Sequence, residues 1–235
     1  MLTRLLAASA AAVLLPILAA CGGSSSSSSA APASSSGTPS STGSASTAGC
    51  VYPTDPAGAA RKVDPPPTTP SVTGKVGATI ETSVGTLDAT LDADKAPCTV
   101  NSFVSLAHQG YFDDTPCHRL TTAAAQFFVL QCGDPTGTGT GGPGYTIPDE
   151  LTGTETYGPG TLAMANTGPP NTGGSQFFIV YEASGLPPQY TVFGQLSPAA
   201  LKVVRQVAAK GSDNAFNPGD GHPKEKVTIS KVTTH

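Results

Sequence analysis

"GTLAMANTGPPNTGGSQFFIVY", residues 160–181, opens with one short β-rich run, GTLAMAN, and closes with another, SQFFIVY. Both are too short for a helix and too apolar for an open loop, so each reads as a strand with a connection between them. Upstream, ATIETSVGTLDATLD (78–92) alternates apolar and polar residues on either side of Gly85, the pattern of a two-stranded hairpin. CTVNSFVSLAHQGYF (98–112) instead sets Val100, Phe103, Val104 and Ala107 at helical spacing, with Gly110 as a stop. Two strands follow, around Cys117 to Leu120 and Phe127 to Cys132, then a long Gly, Thr and Pro stretch through residues 133–160. Beyond residue 181, TVFGQL is a further β-rich run, SPAALKVVRQVAAKG a second helix and KVTISKV a closing strand. Many short strands with only two helices point to a mainly β barrel or sandwich with helical lids, and away from a parallel α/β sheet.

One segment of that pattern is unusual. In CHRLTTAAAQFFVLQCGDP (117–135), Arg119 and Gln131 interrupt apolar runs that otherwise read as core strands. Either residue alone would be the solvent face of a half-buried strand, and a shared site needs support from elsewhere in the chain.

The N-terminal part is not core. Residues 1–20 carry Arg4 and then an apolar stretch broken only by Ser9 and Pro16, as in an export signal. The stretch runs into Leu18-Ala19-Ala20-Cys21, which resembles a bacterial lipobox in which Cys21 becomes the lipidated first residue of the mature protein. Residues 21–49 then form a tether of Gly, Ser, Ala, Thr and Pro, too polar to offset ordering entropy. Such a coil spans roughly 30 Å. The expectation is an exported protein anchored to the outer face of the bacterial cytoplasmic membrane. Residues 50–71, with Pro65, Pro66, Pro67 and Pro70, read as an extended lead-in, and residues 72–235 as one domain.

Twelve basic residues against sixteen acidic ones, net −4 with no basic block, disfavour nucleic acid and anionic lipid as partners. Of the five cysteines, setting Cys21 aside leaves Cys50, Cys98, Cys117 and Cys132, an even number that suggests two disulfides in an exported protein. Three pairings are possible. No Cys-x-x-Cys occurs, and His108, His118, His222 and His235 do not fall at ligand intervals, so no metal is expected. GTGTGGPG (137–144) formally fits G-x-G-x-x-G, but Pro143 and Pro148 interrupt and no helical period follows, so it reads as a structural or binding loop. Ser175 lacks the second glycine of a nucleophile elbow and has no evident histidine and carboxylate partners.

Taken in order, His118-Arg119, Phe128-Val129-Leu130-Gln131, Met164-Ala165-Asn166, Gly174-Ser175-Gln176-Phe177-Phe178 and Val192-Phe193-Gly194 resemble the cyclophilin-type peptidyl-prolyl cis-trans isomerases, over essentially residues 72–235. The resemblance implies a closed eight-stranded antiparallel β-barrel capped by two helices, and rotation about X-Pro bonds as the reaction. That rotation has a barrier of roughly 18–20 kcal/mol set by amide resonance. No bond breaks, so no cofactor is required; weakening the resonance suffices. By the resemblance, Arg119 is the catalytic donor to the prolyl nitrogen, a task suited to a permanently charged, planar, multiply donating group. The resemblance makes Phe128, Val129, Phe178 and Leu186 the proline pocket, with Phe178 its floor. Gln131, Ala165, Asn166 and Gln176 would hold the substrate backbone and orient the arginine, with His118, Thr167 and Tyr190 completing the substrate-binding set. The expected partners are proline-containing polypeptides, and the expected state is a monomer. The chain departs from the family pattern in three places: a longer link from Thr121 to Gln126, Val129 where methionine is frequent, and a rim at Ser184-Gly185-Leu186 without tryptophan, with Tyr190 where histidine is common. Cyclosporin binding should be weakened accordingly.

Overall fold

The computed structural model describes residues 49–235. The export signal, Cys21 and nearly all of the tether lie outside these described residues. Strand β1 is Thr54–Ala59, followed by the hairpin β2 (Lys75–Thr82) and β3 (Gly85–Asp92) and by helix α1 (Pro97–His108). Next come β4 (Thr115–Pro116), β5 (Arg119–Thr121), β6 (Val129–Cys132), β7 (Pro143–Tyr145) and β8 (Thr161–Met164). β9 (Phe177–Val180), β10 (Val192–Leu196), helix α2 (Pro198–Ala209), β11 (Asp220–Gly221) and β12 (Thr228–Thr234) complete the domain.

Ten strands form one antiparallel sheet in the order β11-β5-β6-β9-β8-β10-β3-β2-β12-β4, while β1 pairs separately with β7. The result is a mainly β fold with two helices and a curled antiparallel sheet. Both runs of the 160–181 stretch are strands, and they are each other's neighbours: Leu162 faces Ile179 and Ala163 faces Phe178. All four residues of β8 and all four of β9 are buried, which is why those runs lack polar alternation.

Period-2 alternation fills the core elsewhere. In β2 and β3, Val76, Ala78, Ile80, Leu87, Ala89 and Leu91 point inward while their neighbours are wetter. α1 buries Val100, Phe103, Val104, Leu106 and Ala107, and the Phe103 ring meets those of Phe112, Phe177 and Phe193 at 5.0, 5.6 and 5.5 Å between centroids. Such offset and edge contacts add about 0.5–1.5 kcal/mol each beyond burial. α1 has Pro97 in its first turn and no side-chain cap of its own; Glu150 reaches in instead, accepting from Cys98 N and Thr99 N at 2.8 Å each. In α2, Ser197 caps Ala200 N at 3.2 Å.

The four cysteines pair as Cys50–Cys98 and Cys117–Cys132. The first fastens the segment before β2 to the start of α1. That segment is built onto the domain: Tyr52 donates to Cys98 O at 3.0 Å, Arg61 Nη1 donates to the carbonyls of Gly110, Tyr111 and Asp113, and Ala60 N donates to Gly142 O at 2.8 Å. The lead-in therefore carries a strand, β1, that its composition did not announce.

Candidate active site

Arg119 and Gln131 are register partners on β5 and β6, both on the outer face of the sheet. β11 pairs with β5 on the other side and delivers Asp220, whose Oδ1 and Oδ2 accept from Arg119 Nε and Nη2 at 2.8 and 2.7 Å. Asp220 raises the Arg119 pKa still further above its ordinary value, against the opposing effect of burial, so the guanidinium is always charged. Two of its three nitrogens are thereby committed to Asp220, and Nη1 donates one of its two N–H groups to Gln131 Oε1 at 3.4 Å. Gln131 Nε2 donates to Gln176 Oε1 at 2.9 Å, and Gln176 Nε2 donates to the carbonyls of Gly139 and Gly141 at 2.9 and 3.0 Å. One relay thus runs from Asp220 through the arginine to the glycine-rich loop.

Beside the guanidinium lies a shallow cavity of about 100 Å³ lined by Arg119, Phe127, Val129, Gln131, Ala165, Asn166, Phe178, Leu186 and Tyr190. Its wall is a small apolar cluster apart from the main core, containing Val129, Tyr157, Ala163, Phe178 and Val180. Tyr190 stands edge-on to Phe178 at 5.2 Å, and Tyr157 braces it, donating to Tyr190 O and accepting from Tyr190 N at 3.0 Å each. Asn166 Nδ2 donates to Gln189 O at 2.9 Å, tying the rim to β8's end.

Two expected pocket residues lie elsewhere. Phe128 does not line the cavity; it packs on the main core, edge-on to Tyr181 at 5.7 Å, and Phe127 takes the place assigned to it. The reason is strand alternation, which puts Phe127 on the same face as Val129 and Gln131 and turns Phe128 inward with Leu130. The long link upstream sets this register. Ala123–Ala125 form a single 3₁₀ turn closed by Gln126 at φ 67°, and Thr121 Oγ1 pins the link by accepting from Val129 N and donating to Phe127 O. Phe127 also lies under the guanidinium, 5.5 Å from ring centroid to Arg119 Cζ.

His118, adjacent to an outward-facing arginine, likewise points inward. It is 5% exposed with neither ring nitrogen hydrogen-bonded, and it borders a separate cavity with Pro116 and His222 instead of the one beside the guanidinium. Burial lowers its pKa, the Arg119 and His222 charges lower it further, and Asp134 opposes them.

A second cavity, about 480 Å³, adjoins the first at Arg119, Gln131, Ala165 and Asn166, and here Thr167 and Gln176 are found. Its glycine-rich wall is a structural loop wrapped around an internal anion: Asp134, fully buried, accepts from Thr136 N, Gly139 N and Gly141 N at 2.7, 2.7 and 3.1 Å. Burial would raise the Asp134 pKa, but the Thr136 hydroxyl and these N–H groups together hold it below the ordinary value. Asp220, Phe127, Tyr157 and Asp134 were not singled out in the sequence; only Asp134, at the start of the glycine-rich loop, had a signal that pointed to it.

The sequence profile of the cyclophilin type peptidyl-prolyl cis-trans isomerase/CLD family matches residues 78–234. The chain is 46% identical over 199 residues to a probable peptidyl-prolyl cis-trans isomerase B of Mycobacterium tuberculosis, covering 79% of this chain and 63% of that protein. To the protein of the same name from Mycobacterium leprae it is 45% identical over 201 residues, covering 78% and 65%. The chain thus spans less than two thirds of the length of these relatives. Two crystal structures of a Cryptosporidium parvum cyclophilin type peptidyl-prolyl cis-trans isomerase, one with the dipeptide Ala-Pro present, are 32% identical, with TM-scores of 0.59 and 0.58 and coverage of 68% of this chain and 98% of theirs. An arginine and glutamine paired across two strands, beside a small cavity that Phe178 helps to line, thus occur in a chain that belongs to the cyclophilin-type peptidyl-prolyl cis-trans isomerase family.

Proposed function

We propose that this chain accelerates cis-trans rotation about X-Pro bonds in polypeptides outside the cytoplasm, as a membrane-tethered monomer. The reading is carried by one observation: a guanidinium with two nitrogens fixed by Asp220 and the third, Nη1, holding Gln131 with one N–H and keeping a second beside a cavity lined in part by Phe127, Val129 and Phe178. A proline ring in that cavity would bring its amide to Nη1. As the C–N bond twists, the nitrogen lone pair localises and becomes a better acceptor, so a donor held there stabilises the twisted state more than either planar one. A million-fold acceleration corresponds to roughly 8 kcal/mol. One charge-assisted contact approaches that only with clamping, which is the role given to Gln131, Ala165, Asn166 and Gln176.

Export is supported by the apolar N-terminus and Cys21, and by two disulfides, which suit an oxidising compartment. Closure of the sheet into an eight-stranded barrel is supported by the short link, residues 117–118, between β4 near one end of the sheet order and β5 near the other. Weak cyclosporin binding is supported by Ser184-Gly185-Leu186, which offers no indole N–H at the rim.

The test is NMR exchange on an Ala-Pro peptide with wild type, Arg119→Ala and Arg119→Lys. Lysine lacks the planar fork that Asp220 holds, so both variants should lose more than tenfold, over 1.4 kcal/mol. Peptide binding without turnover by the wild type would leave a prolyl-peptide-binding module instead. Near-full activity in folded Arg119→Ala would remove the arginine from its role.

A further inference from the structure

The wall of the 480 Å³ cavity includes a residue from outside the family match. Asp55 belongs to β1, which the Cys50–Cys98 disulfide and the pairing with β7 hold against the domain, and it lines the same cavity as Arg119 and Gln131. Its Oδ1 accepts from Ala57 N at 2.9 Å, and its Oδ2 is 4.0 Å from where a Cβ on Gly142 would stand, so the carboxylate sits at the glycine rim. It forms no salt bridge among the described residues. The other charged lining group, Arg119, is already matched by Asp220. Behind the same wall stands Asp134, whose carboxylate a Cβ on Gly141 would run into. The remaining lining side chains are neutral, so the cavity presents uncompensated negative charge next to the proline pocket.

We infer that Asp55 makes this cavity a specificity subsite for a basic side chain, so that the enzyme favours polypeptides carrying lysine or arginine close to the prolyl bond. The inference rests on the isomerase reading of the adjoining pocket and adds a preference to it. The half-buried position of Asp55 sets the scale: a partly solvated ion pair discriminates about threefold to fivefold, and salt should erode that.

The experiment walks a single lysine, and in a parallel series a glutamate, along an Ala-Pro host peptide from three residues before proline to two after it. Exchange rates and NMR affinities are measured at low and high salt with wild type and Asp55→Asn. Asparagine keeps the acceptor for Ala57 N, so the strand stays in place. At one position, lysine should exceed glutamate by about threefold to fivefold at low salt. The gap should shrink at high salt and in Asp55→Asn, with the all-alanine peptide unchanged. No lysine preference at any position, or a preference that Asp55→Asn keeps in full, would overturn the inference. Lysine-dependent affinity without turnover of any peptide would overturn the isomerase reading and, with it, the preference as an enzyme's, leaving Asp55 as a binding contact for a basic side chain.

Discussion

Asp220 is the residue on which the arginine's aim depends. With Nε and Nη2 both held, the guanidinium plane is fixed, and so are the directions of the two Nη1 N–H groups, one of which meets Gln131 Oε1. Asp220→Ala should leave the arginine charged yet free to rotate, at a cost to exchange of about tenfold with a smaller effect on affinity, since misplacement by an ångström or less is enough. Equal losses in affinity and rate would instead make Asp220 a substrate contact. His118 gives the second prediction at this scale. Its folded-state pKa is depressed by burial, so from the unfolded value of 6.5 downward the unfolded chain binds the proton more readily and stability falls as the pH falls. Above 6.5 it contributes no slope. Urea unfolding should show lower stability at pH 5.5 than at pH 7.5, by no more than about 1.4 kcal/mol because pH 5.5 lies one unit below the unfolded value, and His118→Leu should flatten the difference. Asp92 and Asp134, held below 3.8, act in a separate window near and beneath that value, where stability is lost as they are protonated. An unchanged slope in the variant would place the acid sensitivity elsewhere. Arg119 and Gln131 stood out in the sequence as polar groups in apolar runs, but their assignment to one site came from the family resemblance. Phe127 did not stand out, because two adjacent phenylalanines differ only in face, and the face is set by a 3₁₀ turn with no clear sequence signal. Asp220 did not, because an acid in NPGDGHP reads as turn chemistry.

At the scale of elements, the strands that alternate and the helices with apolar spacing were legible, while β1 was not. Its sequence, TDPAGA, has a proline, a glycine and no buried side chain, so hydrophobic pattern could not mark it. It is held by backbone pairing to β7, by Arg61 on the carbonyls after α1, and by the Cys50–Cys98 bond. That dependence makes a prediction. The bond closes a loop across a sequence separation of 48, and a crosslink of that span contributes about 2–4 kcal/mol, mostly by restricting the unfolded chain. Cys50→Ser with Cys98→Ser should lower the unfolding free energy by that amount. Turnover of an all-alanine peptide should stay within about twofold, because none of the groups around the proline cavity lies on β1. If stability is unchanged, the strap is held by its hydrogen bonds alone. If alanine-peptide turnover collapses, the strap supports the catalytic strands as well as flanking them.

For the whole molecule, the ten-stranded sheet places the site on its outer face, where β11, β5, β6, β9 and β8 run side by side and supply Asp220, Arg119, Gln131, Phe178 and, just past the end of β8, Ala165. On the proposed function a peptide groove there would need no internal channel, so a substrate could be a segment of a much larger, partly folded chain. Among the described residues no helix is long and apolar enough to cross a membrane. A lipid on Cys21 followed by a tether reaching roughly 30 Å would confine the site near the membrane surface, where exported chains emerge, without altering its chemistry. One acyl signal alone binds membranes weakly, so the anchor should need the full lipoprotein modification, with more than one chain. In cells producing the full sequence, the protein should partition into detergent, and mass analysis should find Cys21 at the mature N-terminus carrying acyl groups. Cys21→Ala should move it to the aqueous fraction while its exchange rate per molecule on a soluble Ala-Pro peptide stays within about twofold, because the groups assigned to the reaction lie between residues 119 and 220. A mature chain beginning after Cys21, or one without acyl mass, would refute the tether, and a fall in soluble-peptide turnover on Cys21→Ala would show that the anchor does more than hold the domain in place.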